Sequence, residues 1–492
     1  MARSSTDPQT SGVTAGRRAR TLVLCFDGTS DNYGATNTNV VKLFSMLTQN
    51  FEEQICYYQA GIGTYFQPGM VSPLLKWFAK IADEAIAWYL YQHIMEGYTF
   101  LMQNYREGDK ICIFGLGRIL ARSIHSSRPC GDAPQGAYSH PPTSSFLLTL
   151  SASVSQVGLL GRDNPEQVPF AYKLYKRTDT TGIQLSAGFK QTFCQDVRVE
   201  FLGVWETVSS VGVIMGKTLP FTNSNTAIKC FRQALALDEH RAKFLPNLYH
   251  RPSPNPGQEP GEADPATSAA PTKANPSMEK PTGLRKLSIF GKQKGSGDKG
   301  KKGYVGGRES QDQLVEEQDS TDVLELPMSD VGGGSVPDAT QQSLAQITLR
   351  WMVRQIITSG CGILLNEEAM LRNGVDIPLS PLDGVMSPVQ AEPGELNKDQ
   401  ADALQPTHDQ LKAIPLWWIL EVLPTQQVYQ DCDGQWVNKW SIHLGKGRNI
   451  PCCDGQGGGP KFHVSVKERM ADQALKYTPK AVWKKGSEVY VE

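Results

Sequence analysis

Apolar residues in this chain gather into short runs bounded by turn residues, the pattern of strands buried on both faces of a sheet. One run covers residues 21–26, TLVLCF, and another covers residues 111–114, ICIF, after a charged turn. Glycines follow the second run at Gly115 and Gly117. Glycines in that position mark a tight turn where the backbone approaches another group closely. The two runs therefore predict central strands, and ligands in open α/β sheets bind at the carboxyl ends of such strands.

Helical periodicity alternates with these strands along the chain. Spacing of apolar residues predicts a helix over residues 40–49, capped by Asn39, and a strand over residues 56–59. Strand after helix in this order is typical of a parallel sheet with crossover helices. The remaining predicted elements are helices at residues 77–104, 168–177, 226–237, 343–357 and 466–475, and strands at residues 197–204, 323–326 and 436–444.

Several polar stretches interrupt this alternation. Residues 119–156 carry helix breakers and are predicted to form an irregular insert. Residues 252–321 are rich in Pro, Gly, Ser and Lys, so they cannot bury enough apolar surface to fold and are predicted to be a disordered linker. The predicted organisation is a disordered tail at residues 1–19, one interrupted domain at residues 20–357, and a C-terminal extension at residues 358–492 with a polar loop at residues 379–409.

Charge and cysteine content exclude several kinds of partner. The chain has 49 Lys and Arg residues against 50 Asp and Glu residues, so no overall field favours nucleic acid. None of the ten cysteines forms a CxxC pair, and the adjacent Cys452 and Cys453 are interpreted as loop residues. We therefore expect no nucleic-acid partner, no metal site and no other cofactor, and the sequence indicates no particular protein partner.

The amino-terminal residues are polar and Arg-rich, and they lack the apolar core of a signal peptide. A mitochondrial transit peptide is a weaker alternative to a disordered tail. Residues 74–95 are the best candidate for a membrane span, but four charged residues interrupt them, so no transmembrane segment is expected. Without a secretory signal, a reducing compartment is favoured, and we expect a cytoplasmic location.

Several blocks of the sequence resemble one family. The first is residues 20–29, RTLVLCFDGT, and the others are residues 158–160, 169–172, 201–205, 330–335 and 462–467. In this order they resemble an α/β-hydrolase-like domain of unknown function that fungal proteins share with type VI secretion phospholipase effectors, and they are most similar to the fungal branch. The resemblance implies an α/β fold with a mostly parallel central sheet flanked by helices. It also implies a serine hydrolase that acts on lipid or other carboxylic esters.

Such a hydrolase uses a Ser-acid-His triad with the serine on a strained turn between strand and helix. The family's turn reads Gly-Phe-Ser-Arg-Gly-Ala-Tyr. Here Gly115 is followed by Leu116, Gly117 and Arg118, so no serine stands at the turn, and Gly115 and Gly117 are its remnant. Gly-Ala-Tyr recurs only later, at residues 136–138. Nearby serines are interpreted as surface residues rather than as substitutes for the nucleophile: Ser123, Ser126, Ser127 and Ser139.

The other two triad members are also altered. Glu206 follows Trp205 at the end of a predicted strand, where the family usually has Asp, and it either occupies the acid position or is a polar residue at a strand end. The family's histidine stands before a triple glycine, but here the predicted strand runs directly into Asp330, with no histidine. His240 lies in a charged, helical-looking segment and is interpreted as a solvated surface residue. His463 resembles a family position other than the base.

Two glycine-containing turns remain as candidates for a role in the site. Asp27, Gly28 and Thr29 end the first predicted strand and either line an oxyanion site or form a structural turn. The second turn, with Asp330, Gly332 and Gly333, stands beside the position of the lost histidine. Its glycines alone suggest a phosphate cradle, but the Lys-Ser/Thr of a P-loop and the dinucleotide spacing are missing. Nucleotide binding is therefore the weakest of the functions considered.

Both missing residues fall at sharp breaks, with family blocks resuming on each side. This pattern favours altered exon boundaries or frameshifts, so that the locus encodes a hydrolase while this chain is inactive. The alternative is a genuine non-catalytic binding module on a hydrolase scaffold. Loss of triad members typically removes several powers of ten in rate, so either interpretation predicts a chain without efficient catalysis.

Overall fold

Continuous apolar runs form the strands of a central sheet in the computed structural model of this protein. The structure describes residues 19–28, 33–61, 91–116, 146–177, 179–206, 228–242, 244, 246, 320–326, 331–377, 398–431, 435–452 and 459–492. The strands are β1 (Thr21–Phe26), β2 (Gln54–Gln59), β3 (Lys110–Leu116), β4 (Leu159–Leu160), β5 (Cys194–Gln195), β6 (Val199–Trp205), β7 (Ile228–Ala236), β8 (Ser320–Leu326), β9 (Thr425–Gln430), β10 (Trp436–Ser441), β11 (Lys461–His463) and β12 (Val489–Val491).

The helices are α1 (Asn39–Met46), α2 (residues 91–104), α3 (Phe146–Val157), α4 (Val168–Tyr175), α5 (Thr180–Phe193), α6 (Leu344–Ser359), α7 (Glu367–Arg372), α8 (Lys398–Ala403), α9 (Gln410–Ala413), α10 (Trp418–Val422) and α11 (Val464–Ala471). Helix α6 shows how the sequence sets these bounds. It begins at Ser343, whose side chain accepts a hydrogen bond from the Ala345 N–H, and it ends at Gly360, which adopts the left-handed conformation with φ of +59°.

Among the described residues, eight strands form the central sheet in the order β12-β11-β8-β7-β6-β3-β1-β2, and every pair of them is parallel. Helices cover both faces. Leu24 and Ile113 face a core that includes residues of α2, α3, α4 and α5, whereas Val23 and Phe114 face a core with α1 and α6. Because parallel strands are buried on both sides, their sequences are continuously apolar rather than alternating. The predicted α/β-hydrolase-like fold, a mostly parallel sheet flanked by helices, is confirmed.

Three predicted segments differ from the structure. The predicted helix at residues 226–237 is wrong, because these residues contain β7, a central strand between β6 and β8. The predicted irregular insert at residues 119–156 includes helix α3, whose Leu150 and Val154 are fully buried against the sheet. The predicted polar loop at residues 379–409 includes helix α8, which packs against α6 and α11.

The predicted C-terminal extension at residues 358–492 contributes β11 and β12 to the same sheet, so a boundary at residue 357 does not separate two sheets. The last two residues of the predicted linker, 320 and 321, begin β8. Residues 1–18, 252–319 and 378–397, on which the predicted tail, linker and loop fall, lie outside the described residues. In the part of the chain that the structure describes, no helix is both long enough and apolar enough to span a bilayer. Most of the membrane-span candidate, residues 74–90, also lies outside the described residues.

Candidate functional site

The sheet changes its direction of growth between β1 and β3. From β1 the chain moves to β2 on one side, and it then places β3 on the other side of β1. Ligands of open α/β sheets bind at the carboxyl ends of strands at such a switch point. Phe26 of β1 pairs with Gly115 of β3, so Asp27 and Gly28 leave the sheet beside Leu116. The strand-end residues singled out in the sequence thus meet at one edge of the sheet.

Gly115 lies within β3 rather than after it, because the strand continues to Leu116 and pairs with β6 from Ile111 to Leu116. The prediction that the first glycine ends the strand is therefore wrong. Gly117, Thr29 and Asp330 lie outside the described residues, as do the four nearby serines.

Asp27 is a buried carboxylate at this edge. Its Oδ1 accepts hydrogen bonds from the Gly28 N–H at 2.8 Å and from the Thr38 hydroxyl at 2.9 Å, and its Oδ2 accepts one from the Tyr58 hydroxyl at 2.8 Å. Burial raises the pKa of Asp27 to about 6, although these three donors act in the opposite direction. Asp27 therefore holds the start of α1 and the end of β2 together, and its carboxyl group titrates close to physiological pH.

Thr38, not Asn39, caps helix α1. The Thr38 hydroxyl oxygen accepts a hydrogen bond from the Val41 N–H at 3.2 Å, so the predicted cap is displaced by one residue. Asn39 is instead fully buried, and its side-chain amide donates to the Val331 carbonyl oxygen at 3.0 Å and to the Thr348 hydroxyl at 2.7 Å. Asn39 therefore ties α1 to α6 and to the chain that follows β8.

The glycine turn at residues 332–334 closes onto the same edge. The Gly332 carbonyl oxygen accepts a hydrogen bond from the Asn39 N–H at 2.8 Å, and Gly333 pairs with Thr38. A Cβ atom at Gly332 would overlap the Leu116 side chain, and Gly333 has a φ of +75°. The glycines are needed because two backbones and Leu116 approach closely here.

Glu206 occupies the carboxyl end of β6, where the resemblance placed the triad acid. It is fully buried and has a φ of +54°, an uncommon backbone conformation for a residue other than glycine. Its Oε1 accepts hydrogen bonds from the Ala236 N–H at 2.6 Å and from Arg448 at 3.0 Å, and its Oε2 accepts one from Arg448 at 2.5 Å. The carboxylate is therefore held by an arginine and a backbone amide.

Arg448 is the residue of this site that the sequence did not indicate. Burial alone would lower its pKa, but the adjacent Glu206 carboxylate holds the pKa of Arg448 above its ordinary value. The guanidinium also donates hydrogen bonds to the carbonyl oxygens of Phe244 at 2.7 Å and Ala236 at 2.9 Å. Arg448 and Glu206 are 242 positions apart, and no local pattern relates them.

None of the histidines among the described residues contacts Glu206. The prediction that His240 is a solvated residue in a helical segment is wrong. The residue follows β7, and its side chain, only 11% exposed, contacts Asp409 at 2.9 Å and Lys480 at 2.7 Å. His443 contacts Glu421 at 2.7 Å. The fully buried His463 side chain caps α11 by accepting a hydrogen bond from the Ser465 N–H. Burial lowers the pKa of His463 to about 4.

The geometry does not assemble a nucleophile, base and acid from described residues. The sequence has no serine between Gly115 and Arg118, and Arg448 neutralises Glu206, the residue that the resemblance assigns to the acid position. Among the described residues, no group of three His, Cys, Asp or Glu side chains is arranged to hold a metal ion. What the edge does offer is a buried carboxyl group with a raised pKa at the switch point.

The parallel sheet with helices on both faces and a polar carboxyl edge defines an α/β-hydrolase-like protein. The family model of the catalytic domain of type VI secretion phospholipase effectors, Tle1-like, matches residues 20–125 and 147–355, well over half of the chain. The chain therefore belongs to this family, as its sequence blocks predicted.

The chain is also similar to a yeast protein. The uncharacterized protein YEL023C of Saccharomyces cerevisiae is 30% identical over 241 residues, a match that spans 46% of this chain and 32% of the yeast protein. It is consistent with the predicted fungal branch of the family. The chain thus matches about a third of the length of this curated relative.

Two solved structures are similar at low identity. One is an uncharacterized protein from Pseudomonas aeruginosa, with 14% identity, a TM-score of 0.33, and coverage of 73% of this chain and 48% of that one. The other is the Tle1 effector bound to the VgrG spike of the type VI secretion system, with 16% identity, a TM-score of 0.24, and coverage of 47% and 48%. The chain covers about half the length of both structures. These superpositions add nothing to the family assignment.

Proposed function

We propose that this chain is a lipase- or phospholipase-like member of its family, built on a scaffold for lipid or other carboxylic esters, and that it is catalytically inactive in its present form. The observation that carries the proposal is the ion pair between Glu206 and Arg448. A triad acid must accept a hydrogen bond from the catalytic histidine and stabilise its positive charge. In this chain the Arg448 guanidinium, a permanent cation, already occupies the place beside Glu206 that the catalytic histidine would need.

The turn after β3 supports the same proposal. The strand carries Gly115 and Leu116 to the switch point, yet the sequence then continues with Gly117 and Arg118. The sequence therefore has no serine hydroxyl at the turn where the family presents its nucleophile. Without a nucleophile and a base, the remaining polar groups can bind an ester but cannot form an acyl-enzyme.

Altered exon boundaries or frameshifts would explain both losses. The family match is interrupted between residues 125 and 147, inside the segment whose breakers mark the first break. Sequencing of transcripts across codons 114–158 and 322–332 tests this explanation. An mRNA that encodes the present chain at both breaks would refute it and would favour a genuine non-catalytic binding module.

Restoration of the missing residues tests the hydrolase scaffold directly. Gly117→Ser and Met328→His place the two residues at the positions that match the family's Gly-Phe-Ser and His-x-Asp spacing. The matched control is Gly117→Ala with Met328→Ala. We expect the unaltered chain and the control to hydrolyse nitrophenyl esters and phospholipid no faster than buffer. Any gain in the Ser/His variant alone supports the hydrolase scaffold.

Efficient ester hydrolysis by the unaltered chain would refute inactivity. If both variants stay inactive while the unaltered chain binds non-hydrolysable ester analogues, the binding-module alternative is favoured over the lost hydrolase.

A further inference from the structure

Two segments of the C-terminal part of the chain, joined by hydrogen bonds, expose large apolar side chains. We call this set the apolar face, and its members are between 43% and 56% exposed: Trp418, Ile419, Val422, Leu423, Trp440, Ile442 and Leu444. Single exposed apolar residues are normal, but a contiguous patch on a protein surface marks an interaction site. The face lies beyond residue 355, where the family match ends.

Helix α10 supplies the first half of the apolar face. Trp418, Ile419 and Val422 are exposed on the helix, with Trp418 and Val422 four positions apart on one side, and Leu423 continues the exposed stripe just after the helix ends. Trp417 is buried instead, with its ring 5.7 Å from that of Phe244 and the Arg241 guanidinium 5.0 Å from its centre. The buried side fixes the rotation of the helix, and the stripe therefore faces solvent.

The chain from Trp440 to Leu444 supplies the second half. Trp440 and Ile442 are exposed at alternate positions of an extended segment, His443 is buried, and Leu444 is exposed on the turn that follows, where its φ is +55°. His443 contacts the Glu421 carboxylate at 2.7 Å, and the Leu444 N–H donates to the Glu421 carbonyl oxygen at 3.1 Å. These bonds fasten the extended segment to α10, so the two halves form one surface.

Among the described residues between 410 and 452, the exposed charged side chains are all lysines. Lys412, Lys439 and Lys446 are exposed. In the described residues between 410 and 452, no Asp or Glu is exposed, since Glu421 is fully buried and Asp431 is half-buried. A surface with exposed tryptophans and aliphatic side chains, bordered by lysines, complements the interface of an anionic lipid bilayer.

We propose that the apolar face docks this protein onto the surface of a bilayer that contains anionic phospholipid. The two tryptophans insert at the level of the headgroups, the aliphatic side chains reach the start of the acyl region, and the lysines contact lipid phosphates. The docking concerns the C-terminal part of the chain only, and it holds whether or not the edge of the central sheet is catalytic.

Co-sedimentation of the full-length protein with vesicles tests the proposal. We expect binding to mixed phosphatidylcholine–phosphatidylserine vesicles, weaker binding to phosphatidylcholine alone, and a decrease with added salt. Trp418→Ser with Trp440→Ser should lower the partition coefficient by about tenfold or more. The matched control, Ile183→Ser with Leu185→Ser, removes two side chains of similar exposure on α5 and should leave binding unchanged.

Trp418 packs against Gly445, so the tryptophan variant could also perturb the fold, which thermal unfolding would reveal. Lys439→Gln with Lys446→Gln changes only exposed side chains and should abolish the preference for phosphatidylserine. Equal binding by this variant and the unaltered chain would overturn the proposal, as would failure of the unaltered chain to sediment with either vesicle. A dimer in light scattering that the tryptophan variant dissociates, without vesicle binding, would assign the face to a second copy of the chain and would also overturn it.

Discussion

Arg448 forms a two-point ion pair with Glu206, with nitrogen–oxygen distances of 2.5 and 3.0 Å, and both side chains are almost completely buried. The pair joins the end of β6 to the C-terminal part of the chain. It has two consequences. It neutralises the carboxylate that the family resemblance assigns to the triad acid, and it makes the packing of that carboxylate depend on an arginine far away in sequence.

Loss of Arg448 should strongly destabilise the fold. Arg448→Met keeps much of the side-chain volume but leaves Glu206 as a buried charge without a partner, which typically costs about 3–5 kcal/mol. The free energy of unfolding in urea measures this. Arg372→Met is the control, because its ion pair with Glu368 is exposed and should contribute less than about 1 kcal/mol. Adding Glu206→Gln to Arg448→Met should recover part of the loss. A small effect of Arg448→Met alone would contradict the structural role of the pair.

Continuous apolar runs were sufficient to predict β1, β3 and β8, and Ser343 with helical spacing was sufficient to predict α6. The same signals failed at β7. Its apolar residues include Ile228, Phe231 and Leu235, spaced by three and four as on a helix, but the strand is buried on both faces and needs no alternation. Only its position between β6 and β8 decides its structure.

The candidate site was predictable where it is built from strand ends. Asp27 and Gly332 were found because glycine turns follow or flank apolar runs, and the sheet topology brings them together. Arg448 was not predictable, because it stands in a polar segment 242 positions from Glu206 and meets it only in the folded chain. Charge pairing over such separations depends on tertiary structure that no local pattern specifies.

Asp27 should make the fold less stable as the pH rises. Its pKa of about 6 lies above the ordinary value of 3.8, so the folded state binds more protons than the unfolded state between these two values. Its stabilising contribution is complete below pH 3.8 and is lost as the pH rises through 6, by up to about 3 kcal/mol. The test is the difference in unfolding free energy between Asp27→Asn and the unaltered chain at several pH values.

That difference should shift in favour of Asp27→Asn as the pH rises from 4 to 7. The control is Asp163→Asn, which makes the same chemical change at an exposed position away from the sheet edge. A constant difference for Asp27→Asn would show that the carboxyl group does not titrate in this window.

His463 should make the fold less stable as the pH falls, the opposite of the effect of Asp27. Burial lowers its pKa from 6.5 to about 4, helped by the nearby Arg354 and Arg350, although Asp399 acts against the shift. The neutral ring is therefore favoured in the folded state. Its contribution is complete above pH 6.5 and is lost as the pH falls through 4, by up to about 3 kcal/mol.

His463→Asn removes the titrating group while keeping a side chain that can cap α11. We expect this variant to lose less stability than the unaltered chain between pH 7 and pH 5, as measured by chemical unfolding. An identical pH dependence would mean that the buried ring is not the group responsible.

Substitution by alanine at Gly203 and at Gly188 should change the stability of the fold in opposite directions. Gly203 lies in β6, and a Cβ atom there would come within 2.6 Å of the Phe114 ring and 2.8 Å of the Met352 sulfur. Gly203→Ala therefore overpacks the core between the sheet and α6 and should cost about 1–3 kcal/mol. Gly188 is exposed in α5 with nothing within 4 Å of the added atom, so Gly188→Ala should stabilise the fold by about 0.5–1 kcal/mol through helix propensity. Thermal or urea unfolding of both variants compares the two, and a neutral Gly203→Ala would mean that β6 and α6 pack more loosely than these distances require.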